Sequence, residues 1–238
     1  MTVYFDNAAS TKMRGEAVDA MVRVMHDNYG NPSSMHHMGR QAAEQLAQSR
    51  KDLAGAIGAR PEEVYFTSGG TESANWAVSG LAQAFSRRGR HVVTSAVEHD
   101  ALLMPVKKLE GMGWDLTYIM PDSTGRVTPE SFASALREDT VFASIMHVNN
   151  ETGAVNPICE YSKEIQRRRL KTILHTDAVQ SFCKIPFTAK SLGADLLTVS
   201  AHKIHGPKGI GALFIKSGIN IAPLILGGGH ESGNRAGT

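Results

Sequence analysis

Residues 198–211 read TVSAHKIHGPKGIG, which places Lys203 just after an apolar run, between His202 and His205, at the mouth of a glycine-rich loop. A lysine in such a place is ordinarily solvated, but it is also an amine able to bond an aldehyde. Three other stretches bear on that choice. Ser68-Gly69-Gly70-Thr71-Glu72-Ser73 follows an apolar run and opens a helical pattern. Its glycines allow a tight turn, and exposed N–H groups at a helix start, with the hydroxyls of Thr71 and Ser73, suit a phosphate. Taken alone, the same residues read first as a plain strand-to-helix turn with Thr71 as N-cap. The turn has neither the lysine of a P-loop nor dinucleotide-fingerprint spacing. His99 follows the run HVVTS and offers an aromatic face to a planar ligand. Asp177 closes the run KTILHTD, either as an N-cap or as a buried carboxylate held against a cationic ring nitrogen. Gln180, about one turn later, can donate to an oxygen on the same ring.

An aldehyde cofactor with a phosphate tail needs an amine, a phosphate cradle, an acidic partner for its ring nitrogen and a flat group over the ring. Lys203 supplies the first, and the Gly70-Thr71 turn with Ser200 and His202 the second. Asp177 and His99 supply the third and fourth. Their joint occurrence points to pyridoxal 5'-phosphate. The histidines offer no competing metal reading: His36, His37, His202 and His205 lack a third ligand at a recognised spacing.

These residues must be carried to one place by the elements between them. Apolar runs at 63–68, 91–95, 115–120, 140–148, 171–177, 195–202 and 211–216 read as buried strands. Helical spacing of apolar residues is seen at 39–58, 71–89, 100–113, 129–139 and 156–169. Alternation of this kind predicts an α/β fold, a mostly parallel central sheet of about seven strands with helices on both faces. In such sheets ligands bind beyond the carboxyl ends of the strands, where Ser68, His99, Asn150, Asp177 and Ser200 fall.

The chain has 238 residues, 42% of them hydrophobic and 20% charged, enough for a sizeable core. Its formal net charge is +2, and its basic residues are scattered apart from Arg87-Arg88 and Arg167-Arg168-Arg169. This argues against nucleic acid or an anionic membrane as partner and for a small molecule. No apolar stretch approaches the roughly 20 residues of a membrane span, and MTVYFDNAAS has no secretory-signal pattern. Cys159 and Cys183 form no metal or disulfide spacing. The expectation is a cytoplasmic protein.

The stretches YFDNAAST (4–11), GNPSSMHHMGR (30–40), FTSGGTESAN (66–75), EHDA (98–101), SIMHVNNETGAV (144–155), HTDAVQS (175–181), SAHKIHGPKGIGAL (200–213) and GGGHESGNRAGT (227–238) closely resemble the cysteine desulfurases of iron–sulfur cluster assembly. These belong to the class V aminotransferase branch of fold-type I pyridoxal phosphate enzymes. The resemblance implies a pyridoxal phosphate-binding large domain over 13–238, with 1–12 joining a small domain whose C-terminal part is absent from this sequence. It makes Lys203 the Schiff-base lysine, pairs Asp177 with the ring nitrogen, and has His99 stack on the ring and relay protons. Asn150 and Gln180 contact the ring, and Thr71, Ser200 and His202 bind the phosphate. Thr238 reaches the phosphate of a partner subunit, implying a homodimer with shared sites. The implied reaction takes sulfur from L-cysteine, releases L-alanine, and passes the sulfur through a cysteine persulfide to an acceptor scaffold protein.

Two features of that resemblance have no counterpart here. The segment that in the family carries the nucleophilic cysteine loop and the arginine for the substrate carboxylate matches no position up to Thr238. Cys159 and Cys183 lie outside that loop's context and read as structural cysteines. Turnover by this chain alone is therefore not expected. A selenocysteine lyase, an aminotransferase of the same fold, a non-catalytic fragment and one half of a split enzyme are the alternatives.

Overall fold

All seven apolar runs form strands of one sheet in the computed structural model, which describes residues 3–237. They are β1 (Val64–Thr67), β2 (His91–Ser95), β3 (Asp115–Ile119), β4 (Thr140–Ser144), β5 (Ile173–Asp177), β6 (Leu196–Ser200) and β7 (Gly211–Ile215). Across the sheet the order is β1-β7-β6-β5-β4-β2-β3. Strands β3, β2, β4, β5 and β6 pair in parallel, and β7 runs antiparallel to both β6 and β1. The expected fold class is what the structure contains.

Successive strand side chains point to opposite faces, so a strand buried on both sides must be apolar throughout. Val92, Phe142, Ile173, Leu196 and Leu213 pack on one face with α3 (Gly70–Phe85) and α4 (Asp100–Glu110). Their neighbours Val93, Ala143, Leu174, Leu197 and Phe214 pack on the other face. There they meet α2 (His37–Ile57), α5 (Pro129–Ala135), α6 (Ile158–Arg167) and α7 (Ala189–Leu192). Several buried polar strand residues are paired inside the layer. His175, buried in β5, is bonded to Ser144 Oγ (2.7 Å) and Thr198 Oγ1 (2.9 Å). Burial pushes its pKa down to about 3, so it is a neutral bridge between strands.

Two differences from the periodicity are informative. The run at 140–148 is not one strand: β4 stops at Ser144, and the chain continues beside β5 through Ile145 N to His175 O (3.3 Å) and His147 N to Asp177 O (2.9 Å). That irregular stretch brings Met146 and Asn150 to the sheet edge. Helix α1 (Gly15–Asp27), which the helical spacing above did not include, buries none of its residues. Val18, Val22 and Met25 on it stay exposed, so packing within the described residues gives no sign of it.

The first residue of β7 shows why the loop before it is rich in glycine. A Cβ on Gly211 would lie 2.8 Å from Gly69 Cα and 2.6 Å from Val199 O. Three backbones approach there, and any side chain would push the Gly69 turn outward. Gly211→Ala should therefore destabilise the protein by roughly 1–3 kcal/mol through overpacking, measured by urea denaturation. Gly55→Ala on α2, with nothing within 4 Å of the added Cβ, should stabilise by roughly 0.5–1 kcal/mol.

Candidate active site

The carboxyl ends of β1, β2, β4, β5 and β6 share one edge of the sheet, and the chemistry-bearing residues collect there. A cavity of about 310 Å³ is lined by Gly70, Thr71, His99, Asn150, Asp177, Gln180, Ser200, His202 and Lys203, with Ala9, Ala101, Met146 and Val179. Its size lies at the small-molecule end of the range for ligand pockets. Each sequence-derived site residue except Thr238, which lies outside the described residues, is in its wall. A larger cavity of about 520 Å³ opens at the opposite edge, where Thr172, Asp195 and Lys216 sit. Its Lys216 and Asp195 are already paired at 3.0 Å, and it holds none of this chemistry.

At the end of β1 the chain turns through Gly69, whose φ of 151° and ψ of −179° suit glycine alone. A Cβ on Gly70 would come within 3.0 Å of Val179. Gly69, not Thr71, is the N-cap of α3, and no side chain caps the helix there. This sets aside the N-cap reading of Thr71, whose side chain belongs to the first helical turn. An uncapped helix start facing a cavity is a site for an anion. The turn is held from behind: Thr67 Oγ1 and Ser73 Oγ are 2.7 Å apart, and Ser68 N donates to Glu72 Oε2 at 2.9 Å.

His99 is the N-cap of α4. Its Nδ1 accepts the Ala101 N–H at 3.0 Å, which puts the proton of the neutral ring on Nε2. Asn150 reaches the cavity because Asn149 does not: Asn149 is buried, donating to Val97 O (2.9 Å) and accepting from the N–H groups of Glu151 and Thr152. Periodicity gave no signal that the two asparagines divide the work in this way.

Asp177 is buried and caps no helix. Oδ1 accepts the Val179 N–H at 2.8 Å in a tight turn. Burial raises the carboxyl's pKa, against the opposite pull of Val179, His99 and Lys203. A buried acid short of positive charge beside a cavity fits a cationic ring nitrogen. Lys203 faces it with its own pKa lowered, by burial first and by Lys184 next. Both effects favour the neutral, nucleophilic amine. His202 is likewise shifted down, by burial and then by Lys203, Lys208 and Lys184.

The N-terminal segment is part of this site, which the residue types did not suggest. Lys203 Nζ donates to the carbonyls of Ala8 (2.5 Å) and Ala9 (3.0 Å), and Gln180 Nε2 to Ala8 O (2.8 Å). Thr11 N and Oγ1 both donate to His202 O, at 2.9 and 2.8 Å. Gln180 was expected to serve a ligand ring; here its amide also holds the segment, and its Oε1 accepts from Lys184 (3.1 Å). The only sign in the sequence was the small-residue run DNAAS. Residues 231–235 return to the Gly69 turn. Arg235 pairs with both oxygens of Glu72 (2.8 and 3.0 Å), and Glu231 with both amino groups of Arg50 (2.6 and 2.7 Å).

The family profile described as Aminotransferase class-V matches residues 3–235. A cysteine desulfurase IscS of Dictyoglomus turgidum is 48% identical over 99% of this chain and 59% of its own length. One of Methanosarcina thermophila is 45% identical over 99% and 58%. Among solved structures, a NifS-like protein superposes with a TM-score of 0.97 at 40% identity, covering all of this chain and 65% of its own. A structure described as SspA in complex with cysteine superposes with a TM-score of 0.95 at 38% identity, covering all of this chain and 68% of its own. The chain spans about three fifths of the length of these curated relatives.

The Arg235–Glu72 pair is open to direct measurement. Burial works to raise the Glu72 carboxyl, but the bonds from Arg235 and Ser68 outweigh it and lower the pKa from 4.5 to about 2. A depressed carboxylate stabilises the fold above its unfolded pKa and loses that stabilisation as pH falls toward the folded one. Arg235→Ala should cost on the order of 1–2 kcal/mol at pH 7, the pair being partly solvated. The gap from wild type should close as pH falls from about 4.5 to about 2, followed by denaturant titration at each pH.

Proposed function

The chain belongs to the aminotransferase class-V family, and from that premise we propose that it is the pyridoxal phosphate-binding part of a cysteine desulfurase acting on L-cysteine. One observation carries the reading: Lys203, Asp177, His99 and an uncapped helix start line a single small cavity. Sequence identity of 48% and 45% to two desulfurases supports the choice of reaction within the family.

Pyridoxal phosphate, when bound, withdraws electrons from the substrate's α-carbon and so eases loss of its proton and cleavage at the β-carbon. The N–H groups at the start of α3, with Thr71, Ser200 and His202, hold its phosphate. Asp177 keeps the ring nitrogen protonated through charge pairing, and His99 covers the ring with Nε2 carrying its proton. Asn150 and Gln180 orient the ring's edge. Lys203 Nζ would hold the aldehyde and, as a free amine, would be the base that takes the substrate's α-proton. The carbonyls of Ala8 and Ala9 hold Lys203 Nζ beside the cavity.

Neither Cys159 nor Cys183 lines the cavity, so the thiol that takes the sulfur in this reading is neither of these. The reading extends to a homodimer in which Thr238 reaches the partner's phosphate, to an iron–sulfur scaffold protein as final sulfur acceptor, and to action in the cytoplasm. Residues 1–12 then join a small domain beside the cofactor-binding one. Among the described residues no helix is long and apolar enough to cross a membrane.

The test is an absorbance titration of the purified chain with pyridoxal phosphate, before and after L-cysteine. Wild type should develop a visible band that shifts on adding cysteine, and Lys203→Ala should show none. Asp177→Asn should weaken binding roughly 10- to 100-fold, the worth of a charge-assisted hydrogen bond in a buried site. An identical band in Lys203→Ala would overturn the assignment.

A further inference from the structure

Glu98 lies one residue before His99 and is 5% exposed. Its Oε1 accepts from Ser95 Oγ (2.5 Å) and from the backbone N–H of Met146 (2.9 Å). Its Oε2 is buried with no hydrogen-bond partner among the described residues. One carboxyl thus joins the turn after β2, which carries His99, to the stretch after β4, which carries Met146 and Asn150. All three of those residues line the cavity. Asn149 adds a second tie between the same two segments, through Val97 O at 2.9 Å.

The charge state of Glu98 follows from what faces it. Among the described residues no lysine, arginine or histidine forms an ion pair with it. From the end of β5 it faces Asp177, a like charge that disfavours ionisation. From α6 it faces Tyr161, a phenol that donates to Val127 O at 2.6 Å. His99, next in sequence, spends its Nδ1 on the Ala101 N–H. An ionised carboxylate with one oxygen unsolvated and no cation is far more costly than a neutral acid in the same place. Burial, beyond what the Ser95 and Met146 bonds offset, pushes its pKa up to about 8.

We propose that Glu98 is a positioning residue held as a neutral carboxylic acid, which sets His99 relative to Asn150 across the cavity and leaves the negative charge at that edge to Asp177. The second part rests on the pyridoxal phosphate reading, since it matters only if Asp177 partners a cationic ring. The first part stands on the two hydrogen bonds for the positioning and, for the neutral form, on the burial of Glu98, its unpartnered oxygen and the lack of a cation paired with it among the described residues.

Three measurements on the full chain test it, with Glu98→Gln as the neutral isostere and Glu98→Ala as the truncation. A glutamate with a raised folded-state pKa costs stability as pH rises from its unfolded value of 4.5 to about 8, with no further loss above. The melting temperature of Glu98→Gln should therefore gain on wild type between about pH 5 and 8 and then run parallel; a gap independent of pH overturns the neutral acid. In hydrogen exchange, Glu98→Ala should loosen residues 96–99 and 146–150 together while Glu98→Gln leaves them as in wild type. If Glu98→Ala does not fold, Glu98→Asp, one methylene short, should loosen the same two segments. Protection unchanged in the truncated variant overturns the positioning role. In pyridoxal phosphate titrations at pH 7, Glu98→Gln should bind within about twofold of wild type and Glu98→Ala about tenfold more weakly. At pH 9 wild type should weaken relative to Glu98→Gln. No lysine-dependent band in wild type would overturn the cofactor reading and with it the second part of the proposal, while melting and exchange still decide the first.

Discussion

A carboxylate buried at the end of a parallel strand is the constraint around which this protein is arranged. Asp177 lies at the last position of β5 with one backbone N–H on its carboxyl, and its ionised form needs a positive charge nearby. The chain turns it toward Lys203, whose charged form burial also disfavours, and toward a cavity that a cationic group can enter. Placing an acid there requires the neighbouring strands to be apolar on both faces, so that the sheet edge is rigid and the acid cannot retreat to water. Leu174 and Thr176 point to one layer and Ile173 and His175 to the other, each packed or bonded. The core on both sides is thus the reason the site's charge stays where it is.

The antiparallel strand β7 has a corresponding part for the turn that opens α3. Inserted between β1 and β6, it lets Gly211 meet the Gly69 turn backbone to backbone, and so aims the start of α3 at the same cavity. Two buried or half-buried ion pairs, Arg50–Glu231 and Arg235–Glu72, then tie residues 231–235 to α2 and to α3, the helix that opens from the turn. Glu231 also accepts the N–H of Phe66 in β1 at 2.8 Å. Residues at both ends of the described chain, 8–11 and 231–235, therefore close on the sheet edge where the chemistry lies.

The fold class was legible because a doubly covered parallel sheet requires continuous apolar strands separated by helices, and the seven runs have that form. The lining of the candidate cavity was legible for a related reason: an amine, an acid, an imidazole and a glycine turn each fell directly after such a run. What was not legible has a physical cause in each case. Nothing in residue type separates Asn149 from Asn150, because which one is buried depends on where β4 stops. Thr71 looked like a cap, and the glycine at 69 took that place because it alone adopts the required backbone conformation.

By itself the sequence determined the strand-and-helix order, the carboxyl-end location of the site and the kinds of groups available there. These follow from local periodicity and from side-chain chemistry, which the chain carries wherever it folds. Only the tertiary structure decided that Ala8 and Ala9 accept hydrogen bonds from Lys203, that Arg235 holds Glu72, and that Glu98 lies buried between two turns with one oxygen unbonded. Such contacts join residues up to 195 positions apart. They depend on burial and distance, which no local pattern encodes.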